Sequence, residues 1–178
     1  MKKLVLAIIV IVFLAGCSLG NTKEKEIEFS TACISNNKKE TVCYGDNRVK
    51  AEEVFGKGEK GEHGEFNYKN GVKIGYRDDL VARIRLDKDS EGKYSITPDI
   101  KVGVLQGKVN EVFGDVFIST SEQVDSYYYD TIKKEFITED EEVPENWLDY
   151  MGYFFIYDEN GYVSEIAITD VQLSMLGK

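Results

Sequence analysis

Apolar residues recur at helical spacing in two short stretches of the chain. Positions i, i+3 and i+4 share one face of a helix, and they are Ala51, Val54 and Phe55 in the first stretch and Val109, Val112 and Phe113 in the second. Gly56 and Gly114 follow directly, where a helix ending in a left-handed residue favours glycine. The pattern therefore predicts two short helices that end at Phe55 and Phe113.

Strand-like patterns follow each predicted helix. Residues 72–76 alternate apolar and polar or glycine positions, and Asn70-Gly71 before them is a hairpin signal. In residues 80–86, alternation places Leu80, Ala82, Ile84 and Leu86 on one face. Later, residues 153–157 and 162–169 flank an Asp/Gly-rich turn. We expect antiparallel meanders in both places.

The two helical stretches belong to an internal repeat. Residues 44–56 and 102–114 share both glycines and the word Glu-Val-Phe-Gly at a constant offset, and such self-similarity is strong evidence about architecture. Asp46 or Asn47 can cap the first helix, whereas the second start is less defined. The sequence predicts an α+β fold of two tandem units, each a short helix followed by an antiparallel β-meander. Residues 29–100, with a preceding β-hairpin, form the first, and residues 101–178, with an insertion, form the second.

The repeated pattern of glycine, short helix, Phe-Gly and meander resembles the small outer-membrane lipoproteins of SmpA/OmlA (BamE) type. Two such units in tandem resemble the β-lactamase-inhibitor-protein fold. Asn47 and Leu105 stand where that family usually has Thr or Ser, and its Pro after the helix-ending glycine is absent. The resemblance implies a binding, assembly or inhibitor module on an extracytoplasmic face.

The N-terminus has the features of a lipoprotein signal. Lys2 and Lys3 precede an uncharged apolar run that ends in Leu14-Ala15-Gly16-Cys17, too short for the about 20 residues that span a bilayer. It resembles a lipobox, which implies that residues 1–16 are removed and that Cys17 carries lipid. Residues 17–28 then form a lipidated tether. The alternative is an ordinary secretory signal with a free thiol at Cys17.

Acidic residues dominate the remaining chain. Without residues 1–16 it has 20 basic and 32 acidic residues, a net charge of −12. This charge argues against nucleic acid as a partner and against electrostatic attraction to anionic lipid. We expect the lipid on Cys17 to hold the protein at the membrane, where an envelope or surface protein is its partner.

Cys33 and Cys43 are the other two cysteines. Apolar and β-branched residues flank an Asn-Asn-Lys-Lys turn between them, which predicts a β-hairpin with the cysteines facing each other. In a thiol-poor compartment we expect a disulfide. Two buried free cysteines or a metal pair are the alternatives, and His63, the only histidine, is twenty positions from Cys43.

The second unit exceeds the first by an insertion before its last two strands. It contains the run Tyr127–Tyr129 and an acidic segment with Trp147 and Tyr150. Rigid aromatic side chains supply much of the energy of protein interfaces, so the candidate interface residues are Tyr127, Tyr129, Trp147 and Tyr150. The alternative is that Trp147 packs in the core and the acids face water. Alternation predicts that Tyr128 lies on the opposite face from its neighbours.

Motifs of common enzymes are missing from the sequence. It has no Gly-x-Ser-x-Gly, no His-Glu-x-x-His and no phosphate-binding glycine loop. We therefore expect no catalytic residues, cofactor or metal, and a non-enzymatic protein-binding lipoprotein: an inhibitor, exclusion or assembly factor. The alternative is a hydrolase of envelope glycan that uses two carboxylates.

Overall fold

The chain folds mainly into β-sheet. The computed structural model describes residues 32–96, 100–114, 118–121, 123–138 and 149–171. Strands hold 49% of these residues and helices 19%, so the expected α+β fold of two helix-and-meander units is wrong.

The helices are α1 (Arg48–Phe55) and α2 (Gln106–Phe113), with 3-10 turns at Glu62–Gly64 and Lys88–Ser90. The strands in chain order are β1 (Cys33–Asn36), β2 (Thr41–Cys43), β3 (Glu59–Lys60), β4 (Glu65–Asn67), β5 (Val72–Arg77), β6 (Leu80–Leu86), β7 (Tyr94–Ile96), β8 (Ile118–Ser121), β9 (Val124–Asp130), β10 (Glu135–Phe136), β11 (Tyr150–Tyr157) and β12 (Val163–Asp170).

One antiparallel sheet runs through both predicted units. Its strand order is β10-β9-β11-β12-β6-β5-β4-β3, with β8 against β9. The contact between β6 and β12 joins the two halves, and its register sets Ile84 opposite Ile168. Because backbone hydrogen bonds cross this boundary, neither half has a sheet of its own. The repeat in the sequence therefore builds one continuous sheet.

Apolar side chains on one face of this sheet form the core. Since successive residues of a strand point to opposite faces, register partners share a face. One such row crosses five neighbouring strands and consists of Ile74, Ile84, Ile168, Tyr153 and Tyr127. All of them are buried, and both helices pack against the same cluster through Ala51, Phe55, Val109 and Phe113.

Both helices end as predicted. α1 ends at Phe55 and α2 at Phe113, and the following glycines have φ of +83° at Gly56 and +80° at Gly114. A residue with a Cβ is strained in this region of backbone conformation. The local Phe-Gly signal was therefore sufficient to predict both helix ends.

Matched hydrogen bonds connect the start of each repeat to the sheet. The N–H of Gly45 donates to the carbonyl oxygen of Val81, and the N–H of Gly103 donates to that of Val163, both at 2.8 Å. A second bond returns from each valine to the residue after the glycine. The repeat in the sequence therefore corresponds to a repeated piece of structure. It consists of two equivalent pairs of loop-to-strand hydrogen bonds, which lie at opposite ends of the β6–β12 pair.

A smaller sheet contains the predicted hairpin. Its order is β2-β1-β7, and Cys33 and Cys43 are direct register partners joined by a disulfide. The disulfide therefore closes the hairpin, as the spacing predicted. The Asn70-Gly71 hairpin between β4 and β5 is also present, with both turn residues at positive φ.

The predicted face of β6 is correct only in part. Leu80 is exposed, whereas Val81 is buried in the core. The register with β5 shifts between Gly75 and Tyr76, and such a bulge changes which residues point inward. Alternation alone could not reveal that shift.

Candidate functional site

The side of the large sheet that faces away from the two helices is the candidate site, and we call it the open face. One row of register partners on it is Lys73, Arg85, Ala167, Phe154 and Ser126. The next row is Glu65, Gly75, Arg83, Thr169, Gly152 and Tyr128. The open face thus has an apolar half on β9 and β11 and a charged half on β4, β5 and β6.

The apolar half is a strip along two neighbouring strands. Val124, Tyr128, Phe154 and Ile156 form it, and each is only partly buried. Tyr128 and Phe154 meet edge to face, with ring centroids 5.8 Å apart. Burial raises the pKa of the Tyr128 hydroxyl. This strip gives the open face a rigid aromatic contact surface.

Gly152 shapes that strip. A Cβ on this residue would lie only 2.6 Å from the ring of Phe154, so the ring lies over the space where a side chain would be. The absence of a side chain at residue 152 therefore leaves room for the ring of Phe154.

The charged half is an alternating set of arginines and glutamates. Arg85 lies 3.2 Å from a carboxylate oxygen of Glu65 and 2.8 Å from one of Glu165, and Arg83 lies 3.5 Å from the other oxygen of Glu65. Burial lowers the pKa of the Arg85 guanidinium, but the two carboxylates outweigh it and the net direction is upward. Gly75 separates Glu65 from Arg83 in the register, which leaves room for the carboxylate between the cations.

One carboxylate oxygen of Glu65 accepts no hydrogen bond in this set. The residue is 5% exposed, and its Oε1 is buried without a hydrogen bond. This oxygen lies 3.5 Å from a guanidinium nitrogen of Arg83, close enough for an ion pair but long for a hydrogen bond. Such an oxygen gains from an additional donor, because a buried acceptor without a hydrogen bond is destabilising.

A shallow depression lies where the two halves meet. It has a volume of about 300 Å³, and its lining consists of Arg83, Arg85, Val124, Phe154, Ile156, Ala167 and Thr169. The small side chain of Ala167 forms its floor between the guanidinium groups and the aromatic strip. Apolar side chains beside ion-paired arginines suit the contact region of a protein interface.

The structure places the predicted interface residues differently from expectation. Tyr127 and Tyr129 are buried in the core, at 0% and 5% exposure, so neither can be reached by a partner. Tyr128 lies on the opposite face, as alternation predicted. The alternation was correct, but which face would be buried was not known from the sequence. Trp147 lies outside the described residues.

Tyr150 has a supporting role at the end of the sheet. It is partly buried, is the register partner of Asp130, and hydrogen-bonds to its carboxylate. The same carboxylate accepts the N–H groups of Ile132 and Lys133, both at 2.8 Å. Burial acts to raise the pKa of Asp130, but these hydrogen bonds outweigh burial and lower it. Tyr150 thereby stabilises the turn between β9 and β10.

The sequence contains two signals of the open face that the sequence analysis did not use. Residues 153–157 read Tyr-Phe-Phe-Ile-Tyr, with no polar residue at any outward position. An unbroken apolar run is typical of a strand that is covered on both faces. The glycines within strands at positions 75 and 152 were a second signal, since they mark close approach.

The described part of the chain contains neither a metal-binding cluster nor a membrane-spanning helix. There, no group of three or more His, Cys, Asp or Glu side chains is arranged to hold a metal ion. Within the same residues, no helix combines the length and the apolar character needed to cross a bilayer. The predicted signal peptide and Cys17 lie outside them.

Comparison with known proteins gives no relative. No protein-family model matches the chain, and neither a curated protein nor a solved structure is detectably similar to it. The resemblance to SmpA/OmlA (BamE) and β-lactamase-inhibitor-protein repeats therefore stays a prediction from the sequence.

Proposed function

We propose that this protein is a lipid-anchored, extracytoplasmic protein-binding module that binds its partner through the open face. The observation that carries the proposal is the partly exposed apolar strip beside the Arg83–Glu65–Arg85 cluster. Aromatic and arginine side chains are the types that dominate interface energetics. Their placement on a rigid sheet reduces the entropy lost on binding.

The energetics favour coverage of this strip by a partner. Phe154 and Ile156 lie on an outward face, where burial would remove apolar area from water at about 25 cal/mol per Å². Arg85 already has two carboxylate partners, so its charge can be desolvated without being left unpaired. A small apolar patch beside the ion-paired Arg85 can therefore bind another protein surface.

The N-terminal signal supplies the location in this proposal. Cleavage before Cys17 and its lipidation would tether the folded part, whose described residues begin at Ala32, by a short polar segment. A tether of this kind leaves the open face free to meet envelope or surface proteins. The inhibitor, exclusion and assembly roles all fit this arrangement.

Site-specific photocrosslinking tests the binding surface. A photoreactive phenylalanine analogue at Ile156, on the open face, is irradiated in intact cells. We expect a discrete protein adduct, which is lost when Phe154→Asp is added. The matched control has the analogue at Val49, an exposed apolar position on α1. Equal adducts from both positions, or none from Ile156, would contradict the proposal.

Fatty-acid labelling tests the anchor separately. Wild-type protein should incorporate a labelled fatty acid, and Cys17→Ser should not, because the thiol that receives the lipid is gone. Label in the variant at the wild-type level would refute the lipoprotein assignment without affecting the open face.

The glycan hydrolase is less well supported by the same face. Glu65 and Glu165 both bind Arg85, whereas a glycosidase needs one carboxyl group that is protonated and can donate to the leaving group. The depression beside them is also shallow. The face therefore supports protein binding better than glycan hydrolysis.

A further inference from the structure

We infer that the Cys33–Cys43 disulfide transmits the pull of the lipid tether to the large sheet and keeps the β1–β2 hairpin from opening under that pull. The inference rests on the lipid anchor of the proposed function and adds a mechanical role for a bond that lies where the tether reaches the fold. It follows from the position of the bond in the hairpin, from the connections beyond Cys43, and from the direction in which a pull on Cys33 acts.

The tether enters the fold beside the disulfide. Ala32 is the first described residue, it is buried, and its carbonyl oxygen accepts the N–H of Tyr44 at 3.1 Å. Cys33 follows directly and is bonded to Cys43, its register partner in β2. A pull that arrives from Cys17 therefore meets a covalent connection to β2 at the first residue of β1.

The chain beyond Cys43 leads directly into the large sheet. The N–H of Gly45 donates to the carbonyl oxygen of Val81, and the N–H of Val81 donates to that of Asp46, both at 2.8 Å. The N–H of Cys43 itself donates to the Asp46 carboxylate at 2.7 Å. Val81 belongs to β6, which has β5 on one side and β12 on the other. The short segment 43–46 thus joins the disulfide to an interior strand.

Without the bond, the pull acts on the open end of the hairpin. Cys33 and Cys43 lie at the end opposite the turn, so a force that separates them opens the two strands one register pair at a time. β1 has only three register pairs with β2 and three with β7, and both sets begin near the pulled end. Hydrogen bonds that are broken in sequence bear the whole force one after another, so they yield at low force, whereas the covalent bond holds.

Opening of the hairpin would also take apolar side chains out of the core. Ile34 and Val42 of the hairpin are fully buried, and so is Ile96 of β7 beside them. Burial of apolar side chains is the dominant favourable contribution to folding. The disulfide therefore allows a membrane-anchored copy to resist tension without losing the small sheet.

Single-molecule stretching of the mature chain tests the inference. Residues 17–178 with Cys17→Ser carry one DNA handle at the N-terminus and a second on an azide-bearing residue that replaces Glu159 in the exposed β11–β12 turn. In the oxidised protein we expect no extension before the large sheet yields. A dithiol reductant cleaves the Sγ–Sγ bond to two thiols and is itself oxidised to a disulfide. We then expect an earlier step of about 30 Å, because the separation of 10 residues extends at about 3.3–3.6 Å per residue.

The matched variant without the bond is Cys33→Ser with Cys43→Ser. It should show the early step with and without reductant, whereas Thr41→Ala, which changes an exposed residue of β2 and keeps the disulfide, should stretch like the parent protein. If the serine variant does not fold, reduction of the already folded parent gives the same comparison. An early step at the same force in oxidised and reduced protein, or no early step in either, overturns the inference.

The outcomes separate the inference from the proposed function. Fatty-acid labelling of Cys17 reports on the anchor, and photocrosslinking at Ile156 reports on the binding surface. If Cys17 is labelled and reduction adds no early step, the anchor stands and the inference is wrong. If reduction adds the early step and Cys17 is not labelled, the bond closes the hairpin but there is no tether to pull on it, so the anchor and the inference both fail. Label together with a reduction-dependent early step supports both.

Discussion

The two copies of the repeat have the same backbone connections and different side-chain support. Each has a glycine that hydrogen-bonds to a strand, and each has a helix that ends at Phe-Gly. In the first copy Phe55 meets the rings of Tyr68 and Tyr94. In the second, Phe113 lies within 5.8 Å of four aromatic rings, those of Tyr127, Phe136, Tyr153 and Phe155.

Polar support differs at the equivalent positions as well. Asn47 caps α1 by accepting the N–H of Lys50, whereas Leu105, its counterpart, gives α2 no side-chain cap. Gln106, which matches Arg48, donates instead to the buried carboxylate of Asp125. The comparison shows that a repeated backbone can be stabilised locally in one copy and by distant sheet contacts in the other.

The largest expected effect comes from the two helix-ending phenylalanines. Truncation of a buried Phe to Ala costs about 3–5 kcal/mol. We expect Phe113→Ala near the upper end and Phe55→Ala near the lower end, because Phe113 loses more aromatic neighbours. Urea denaturation of both variants measures the difference. Equal losses, or a larger loss from Phe55→Ala, would show that the second copy does not depend more on its core contacts.

The next effect concerns the tyrosines at matched strand positions. The Tyr157 hydroxyl donates to the buried Asp125 at 2.7 Å, whereas the Tyr76 hydroxyl pairs with that of Tyr68. Burial first, and then the hydrogen bond to Asp125, raises the pKa of Tyr157. Tyr157→Phe should cost about 1–3 kcal/mol, because a buried charged acceptor loses a donor.

Tyr76→Phe is the comparison for that loss. It should lower the free energy of unfolding by about 0.5–1.5 kcal/mol. The group that loses its partner is the neutral Tyr68 hydroxyl, and an unpaired neutral group is less costly than an unpaired charged one. Tyr162→Phe, at an exposed turn, should change stability by less than about 0.5 kcal/mol. Equal destabilisation by Tyr157→Phe and Tyr76→Phe would remove the distinction between the two copies.

The last pair of predicted effects is at the helix starts, and the two effects have opposite signs. Asn47→Ala should destabilise by about 1 kcal/mol through loss of the cap. Leu105→Asn should stabilise by up to about 1 kcal/mol, since it introduces a cap and removes an exposed apolar side chain. Thermal melts of both variants test the pair. A loss from Leu105→Asn would mean that Leu105 already stabilises the start of α2.

Local signals in the sequence predicted the local structure well. Phe-Gly specified both helix ends, Asn70-Gly71 specified a hairpin, and the symmetric placement of Cys33 and Cys43 indicated their disulfide. These features depend on a few consecutive residues, whose allowed backbone conformations are restricted by sterics.

Long-range pairing was not predictable in the same way. Nothing near Ile84 or Ile168 indicates that β6 and β12 are neighbours, and without that pair the repeat was interpreted as two units. The open face was missed for a related reason. Alternation separates Tyr128 from Tyr127 and Tyr129, but only the position of α2 determines which side is the core.

Accessibility of Ile156 is the most direct test of the claim that the open face is the binding surface. The rate of maleimide labelling of Ile156→Cys is compared between intact cells and purified protein at high dilution. Glu53→Cys, on the solvent side of α1, is the control. We predict slow labelling of Ile156→Cys in cells, fast labelling after dilution, and no such difference for Glu53→Cys. Labelling of Ile156→Cys that is equally fast in both settings would show that nothing covers the open face in the cell and would contradict the account.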